Sequence, residues 1–534
     1  MQTEQRQPPG PELAAMQQQE QLVQALLDPA CYDHPVVAIT VMETHISRVL
    51  LAGEFAYKLK KPVDFGFLDF STLQRRRYFC EQELRLNRRF APDLYLGVVT
   101  INGNPDQPVI NGSGEVIEYA VKMRRFSQDG LLSRIADRHR LTARHVDNII
   151  TLVVGMHAQA GRVATDPAAG SPADIRHWVD ENFEHIRRVV NNSQQLQQLA
   201  GLEDWCATTF ARHEGMFAAR KQQGYIRECH GDLHLGNLVV VNQRITPFDC
   251  IEFSPRLRWI DVMSEVAFLV MDIQERGYPR LAHRFLNGYL QDTGDYGGLD
   301  LLPYYLVYRA LVRAKVAALR LGQVESDASA AQGEFTAYLD MATQYATRPA
   351  RAIIVTHGVS GSGKSWWSEQ LAERLGAIWI RSDVERKRLY GQRADADTRS
   401  AIGAGIYTPA ASVNTYVHLA GLARQISVAG YPVIVDATFL KRAERDRFRT
   451  LAAGLGVPGV LLHCAVDTGV LQARLRERCA DGNDPSEAGV EVLNSQQASL
   501  EPLQADEFTD WFVVNIPVDL SGSVLAARIG RLMD

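Results

Sequence analysis

The chain has 534 residues, too many for one hydrophobic core, so two or three domains are expected. Hydrophobic residues make up 46% and charged residues 22%, the balance of an ordinary soluble globular protein and not of a disordered or membrane-embedded one. A net charge of -5 argues against a broad nucleic-acid-binding face while leaving room for a local basic patch. The seven cysteines (Cys31, Cys80, Cys206, Cys229, Cys250, Cys464 and Cys479) are scattered with no CxxC pair, as expected of reduced thiols. With no apolar run near the ~18 residues of a membrane span and no signal pattern at the N-terminus, a cytoplasmic location is expected.

Residues 1–20 are rich in Gln, Glu and Pro, and the composition predicts a disordered tail. A short helix over 20–27 ends near Pro29. Strands follow over 36–41 and 44–51, and Ala52-Gly-Glu54 turns the chain into Phe55-Ala-Tyr-Lys-Leu-Lys60. Lys58 and Lys60 lie two apart and share a face of that strand; a lysine there is equally a common guard on an edge strand. Ser71 is a fair N-cap for a helix over 72–90 that carries Glu81 and Glu83. A strand over 116–123 leads into Met123-Arg-Arg-Phe126, and helices are expected over 131–135, 145–161, 173–190 and 194–222. His157, inside the second of these, reads as a packing residue.

The stretch His230-Gly-Asp-Leu-His-Leu-Gly-Asn237, followed by Pro247-Phe-Asp249, has the spacing of a kinase catalytic loop and its metal-binding Asp. Phosphoryl transfer needs one carboxylate at the acceptor hydroxyl, and a carboxylate and an amide to hold Mg²⁺ against the phosphates. Asp232 takes the first role, and Asp249 and Asn237 the others. The apolar runs 238–241 and 245–248 predict a hairpin that returns Asp249 to the side of Asn237. An Asp- and Asn-rich surface turn is the plainer reading, but it does not account for all four polar positions around a hairpin.

These residues resemble the core of the aminoglycoside phosphotransferase-like kinases, relatives of the protein kinase fold, and the resemblance covers roughly the first 340 residues. It implies an α+β two-lobed, protein-kinase-like domain. It implies a lysine of the strand Phe55–Lys60 at the ATP phosphates, Lys58 in preference to Lys60, paired with a helix glutamate, Glu83 in preference to Glu81. It implies a hinge at Met123–Phe126 that holds adenine by its backbone, and bracing acids at Glu252 and Asp261. His234 is read as support for the loop. No GxGxxG precedes the lysine strand; only Ala52-Gly-Glu54 is available, so the cover over the phosphates must be reduced or built elsewhere. Amphipathic helices over 304–321 and 330–345 complete this domain.

After a linker at 347–351 the pattern changes. Ala352-Ile-Ile-Val-Thr-His357 is a buried-strand run, and Gly358-Val-Ser-Gly-Ser-Gly-Lys-Ser365 is GxxxxGK[ST] in the required strand–loop–helix setting. The N–H groups of the loop (Gly358, Ser360, Gly361, Ser362, Gly363) turn inward around phosphates at a helix N-terminus. Lys364 then reaches the β- and γ-phosphates, and Ser365 ligates Mg²⁺. Strands ending at Asp383 and Asp436 put both carboxylates at the ligand edge of an open α/β sheet with parallel strands. This part resembles the gluconate-kinase, zeta-toxin and polynucleotide-kinase group of P-loop kinases. The likeness implies Asp383 at the acceptor hydroxyl, Arg386 on acceptor or phosphate, Asp436 near Mg²⁺, and a lid that brings Arg474 or Arg478 to the transferring phosphate. An N-cap role competes for Asp383. A late strand over 511–515 and a helix over 524–533 close the chain.

The sequence thus predicts a tail (1–20), a phosphotransferase-like domain (21–346), the linker (347–351) and a P-loop kinase domain (352–534), both using ATP and Mg²⁺ on small-molecule hydroxyls. The rival reading makes the first part a nucleotide-sensing module and the second a kinase of nucleic-acid 5′-hydroxyls or nucleotide-sugars. The cluster Arg381, Arg386, Lys387 and Arg388 gives it its footing.

Overall fold

The computed structural model describes residues 11–66, 68–162, 164, 166–321, 328–347, 350–394, 396, 405–464, 466–467, 469–474, 490–504, 506–507, 512–515 and 522–533. The chain divides into two compact units. The first comprises Met1–Leu141, Gly155–Trp178 and Glu214–Leu269; the second comprises Thr142–Val154, Val179–His213 and Val270–Asp534. This division differs from a cut at 347–351, because the helices from Val270 onward group with the P-loop sheet.

In the first unit, six antiparallel strands form one sheet: β1 (Ile39–Glu43), β2 (Ser47–Ala52), β3 (Phe55–Lys60), β4 (Tyr95–Asn104), β5 (Gln107–Ile110) and β6 (Val116–Arg124), in the order β1-β2-β3-β6-β4-β5. Strand alternation divides β3 between two cores. Tyr57 and Leu59 pack with Leu50, Val99 and Ile101 on one face, beneath Leu22, Val23 and Leu26. Ala56 lies on the other face with Cys80, Val121 and Met123, and that is the face of Lys58 and Lys60. The helix Leu73–Arg88 covers this second face; its N-cap is Thr72, whose side chain accepts from the Arg75 N–H, so the cap falls one residue beyond Ser71.

The tail expected over 1–20 needs correction from residue 11 onward; residues 1–10 lie outside the described residues. Pro11–Ala25 is a helix, and Gln19 within it is buried, its Nε2 donating to Lys60 O (2.7 Å) and Glu118 Oε2 (3.0 Å). The glutamine-rich composition belongs to the exposed side of this helix, where Gln17 and Gln18 lie. Two small antiparallel pairs frame the loop at His230: β7 (Ile226–Glu228) pairs with β10 (Trp259–Asp261), and β8 (Leu238–Val241) with β9 (Arg244–Pro247).

In the second unit, five strands form a wholly parallel sheet: β11 (Ile353–His357), β12 (Ile378–Arg381), β13 (Val433–Asp436), β14 (Gly459–His463) and β15 (Phe512–Asn515), in the order β12-β13-β11-β14-β15. The runs of Ile, Val and Leu in β11, β13 and β14 are buried on both faces, as parallel strands require. β12 is an edge strand, and the helix Pro279–Thr293 covers its edge with side chains. Asn287 Nδ2 donates to Ala377 O (3.0 Å), Asn287 Oδ1 accepts from the Trp379 N–H (2.7 Å), and Gln291 Nε2 donates to Trp379 O (3.1 Å). Two amides one helical turn apart thus supply what a neighbouring strand would. No helix among the described residues is long and apolar enough to cross a membrane.

Candidate active sites

In the first unit the loop between β7 and β8 is built around Gly231. Its φ of +88° is left-handed, and a Cβ there would meet Leu257 O at 2.8 Å, so only glycine fits between His230 and Asp232. The Gly231 N–H donates to Glu265 Oε1 (2.8 Å), and Glu265 Oε2 lies 2.9 Å from His157 Nε2, which makes His157 part of the buried support of the loop. The Ile251 N–H donates to His230 O (3.0 Å), and His230 Nε2 lies 2.9 Å from Phe248 O, so the loop is joined to the segment that carries Asp249. Asn237 Nδ2 donates to both Asp232 O (2.9 Å) and Asp232 Oδ2 (3.1 Å). His234 Nδ1 accepts from the Gly236 N–H (3.0 Å), and its Nε2 stands 3.5 Å from Asp232 Oδ2. Asp249 has a left-handed φ of +64°, uncommon outside glycine, and its N–H donates to Tyr95 Oη (2.9 Å).

Both lysines of β3 meet the same glutamate. Lys58 Nζ donates to Glu83 Oε1 (2.9 Å) and to Asp249 Oδ1. Lys60 Nζ donates to Glu83 Oε2 (2.7 Å) and to Glu252 Oε1. Glu81 is exposed and pairs with Arg77 at 2.9 Å, so it takes no part. Burial works to raise the Glu83 carboxyl, but the ammonium groups of Lys58 and Lys60 outweigh it and hold the group down, at about 2. Burial works to lower the Lys58 ammonium, and Asp249 and Glu83 reverse this and push it well above its ordinary value. Asp261 is held by Arg220, whose Nε and Nη2 donate to its two oxygens at 2.6 and 2.8 Å.

The turn Ala52-Gly53-Glu54 is not a cover for the lysines. The Arg125 N–H donates to Glu54 O (2.8 Å), which fixes this turn to the end of β6. A cavity of about 700 Å³ opens there, lined by Leu51, Gly53, Glu54 and the segment from Arg124 to Asp129. The turn at the other end of β3, Thr44-His45-Ile46, contains no glycine; the Lys61 N–H donates to Ile46 O (2.9 Å), and Lys61 pairs with Glu43 at 2.6 Å.

In the second unit the loop from Gly358 to Ser365 joins β11 to the helix Lys364–Leu375. Gly358 has a φ of +145°, and a Cβ there would meet Cys464 O at 2.7 Å. Lys364 Nζ donates to Val359 O (2.9 Å). Asp436, at the end of β13, is buried: burial raises its carboxyl, Arg381 and Lys364 oppose this with their charge, Ser365 opposes it with a hydrogen bond, and Asp383 adds to the rise. Asp436, Ser365, Lys364 and Asp383 therefore share one site at the C-terminal edge of the sheet. Asp383 lies in the first turn of the helix Ser382–Leu389, whose N-cap is Arg381, so Asp383 is not the cap.

Arg386 is buried; its Nη1 donates to Ile406 O (3.1 Å) and Ser412 Oγ (3.2 Å), and its guanidinium lies 5.1 Å from the Tyr407 ring centre. Arg474 Nη1 donates to Gly361 O (3.4 Å), above the phosphate loop, whereas Arg478 lies outside the described residues. One contact had no signal in the sequence: the Ser360 N–H donates to Gln496 Oε1 (2.7 Å), from the helix Val490–Ser499. The basic cluster from Arg381 to Arg388 is not an open surface. Lys387 is buried, Arg388 pairs with Glu385 and donates to Gln291 O, and Arg381 lies over the Trp379 ring.

Beneath the phosphate loop, His357 and His463 face each other across the β11–β14 register with Nδ1 atoms 2.7 Å apart, so one donates to the other. Burial, with the charge of His463 second, pushes His357 down to about 3. The folded chain keeps this ring neutral at pH values where the unfolded chain, titrating near 6.5, takes up a proton. Below that value the unfolded state binds more protons, and stability falls as the pH falls. The melting temperature should therefore drop between about pH 7 and about pH 5, and His357→Asn should reduce the drop; an equal drop in the variant would exclude the pair as its source.

Residues 125–302 match the model of the Phosphotransferase enzyme family, and residues 353–503 match a model described as AAA domain. Fold and family matches together define an ATP-dependent kinase, an α+β kinase-like domain followed by an α/β P-loop domain with a parallel sheet. Over 477 residues the chain is 30% identical to uncharacterized proteins of Mycobacterium tuberculosis and Mycobacterium bovis, covering 88% of this chain and 93% of each relative. The chain belongs to the family of these mycobacterial proteins. Similar solved structures include a sugar kinase from Janibacter sp. (24% identity, 35% of this chain and 95% of that one, TM-score 0.27). A choline/ethanolamine kinase family protein from Mesorhizobium loti is 11% identical, with 62% of this chain and 100% of that one covered and a TM-score of 0.38.

Proposed function

We propose that the chain is a bifunctional phosphotransferase whose two parts, 21–346 and 352–534 on either side of 347–351, each move the γ-phosphoryl group of ATP to a hydroxyl of a small-molecule acceptor. The observation that carries this reading is that each part has its own set of groups for the reaction. Lys58, Asp232, Asn237 and Asp249 form one set, and Lys364, Ser365, Asp383 and Asp436 the other.

At the first site Lys58 binds the phosphates, and Asp232 accepts the proton of the acceptor hydroxyl. The amide oxygen of Asn237 and the carboxylate of Asp249 are hard donors suited to Mg²⁺, as are Ser365 and Asp436 at the second site. When bound, Mg²⁺ neutralises charge on the phosphates. At the second site the N–H groups of Gly361 and Gly363, with that of Ser360 once Gln496 gives it up, cradle the phosphates with Lys364, and Asp383 takes the acceptor proton. The Gly358 and Ser362 N–H groups, expected there too, instead donate to Thr438 O (3.1 Å) and Val359 O (3.2 Å). Arg474 stands where a lid arginine would reach the transferring group. Arg386 is buried with no carboxylate among the described residues paired to it, which favours an acceptor that carries its own negative charge. The same burial removes the footing of the reading that has the second part act on nucleic acid.

Gln496 holds a loop N–H that the phosphates need. Gln496→Glu should weaken Mg²⁺-ATP binding at the second site by about tenfold or more, because it sets a carboxylate against the phosphates, whereas Gln496→Ala should not weaken it. Titration of a fluorescent ATP analogue into a chain carrying Asp232→Asn and Lys58→Met reads this site alone, and equal affinities for the two Gln496 variants would refute the role.

The experiment that tests the whole reading is ATP turnover against a library of metabolites and nucleosides, with the wild type, Asp232→Asn and Lys364→Ala in parallel. Acceptors lost in one variant and kept in the other are expected. Turnover that depends on Lys364 alone would sink the bifunctional reading.

A further inference from the structure

Lys60 is an odd residue to find in a core. It is fully buried on the inward face of β3, its ammonium 4.9 Å from the Phe70 ring centre, and its two acid partners, Glu83 and Glu252, are buried with it. A buried ion pair is seldom worth more to stability than apolar side chains of the same volume, so packing alone does not explain it. The explanation lies in what Lys58 must do. Lys58 touches Glu83 and Asp249, but to serve the reaction it must give its charge to the nucleotide phosphates, and Asp249 must turn to the metal.

We propose that Lys60 is a positioning residue of the first site, a second lysine that neutralises Glu83 and Glu252 so that Lys58 remains available to the nucleotide. The inference rests on the reading of that site as a phosphotransferase. Five groups make up the network: the carboxylates of Glu83, Glu252 and Asp249, and the ammonium groups of Lys58 and Lys60. With Lys60 in place, Glu252 has its own cation, and Glu83 needs Lys58 with only one oxygen. Without Lys60, two buried carboxylates and Asp249 compete for the single ammonium of Lys58, and the phosphates become its fourth claimant. Burial already pushes the Glu252 carboxyl up against the pull of Lys60. The strand end is fixed from its other side by Gln19, which donates to Lys60 O (2.7 Å).

The test uses the full chain carrying Lys364→Ala, so that Mg²⁺-ATP binding measured by calorimetry reports the first site. Lys60→Met should weaken binding by about tenfold or more, Glu252→Gln should leave it within about threefold, and the pair together should restore it to within about threefold. A residue that only fills space predicts the opposite pattern, with the double variant at least as damaged as Lys60→Met. If Lys60→Met does not fold, Glu252→Gln against the double variant still decides: equal binding supports the role, and loss in the double variant overturns it. Absence of Mg²⁺-ATP binding in the Lys364→Ala parent would overturn the phosphotransferase reading together with the role of Lys60, whereas failure of the rescue overturns the role alone.

Discussion

In a chain whose second site is disabled by Lys364→Ala, Asp232→Asn should abolish the remaining phosphoryl transfer, a fall of about 10²–10⁴-fold, while Mg²⁺-ATP binding stays within about threefold. The change keeps the shape of the side chain and removes the base. Asn237 Nδ2 still has Asp232 O to bond, so the loop keeps one of its two contacts across the site. Gly231, His230 and Glu265 hold the backbone from beneath. A parallel loss of binding and turnover would mean that Asp232 holds the nucleotide and not the acceptor. Transfer that persists in the double variant would remove Asp232 from the chemistry altogether.

The largest expected loss of stability comes from Glu507→Ala. Arg445 is fully buried; its Nε and Nη2 donate to the Glu507 carboxylate at 2.6 and 3.0 Å, and its Nη1 donates to Phe439 O (3.0 Å) and Leu440 O (3.2 Å). This guanidinium therefore fixes the backbone just after Asp436, where Phe439 takes a left-handed φ of +47°. Removing the carboxylate strands a buried cation and should lower the unfolding free energy of the second unit by about 3–5 kcal/mol. Replacing both partners with apolar residues, as in Arg445→Met with Glu507→Leu, should recover most of the loss in urea unfolding. A loss below about 1 kcal/mol in Glu507→Ala would show that Arg445 finds other acceptors.

What the sequence made legible follows from distance along the chain. The fold class could be read from it, and so could the residues around Asp232 and around Lys364, because each set is packed into one short stretch whose spacing the chemistry dictates. The preference for Lys58 over Lys60 rested on the resemblance alone, because the contact that sets Lys60 apart is with Glu252, 192 positions away. Gln496 was illegible for the same reason, since a glutamine on a helix carries no motif and meets Ser360 across 136 positions. The helix Pro11–Ala25 was hidden by its own composition: most of its glutamines face water, and among its described side chains only Gln19, Leu22 and Val23 are buried. The cap at Thr72 in place of Ser71 is a one-residue choice that two adjacent hydroxyls do not settle.

The amides of Asn287 and Gln291 also bear on the order in which the chain is made. Synthesis delivers the helix Pro279–Thr293 about ninety residues before the strand Ile378–Arg381, so its amide ladder already waits when the first peptide groups of that strand emerge. For the parallel sheet, the earlier helix is a template as well as a neighbour. A gene cut at the apparent joint would produce a strand whose N–H and C=O groups at Trp379 have no amide to meet, an open edge ready to pair with another copy of itself.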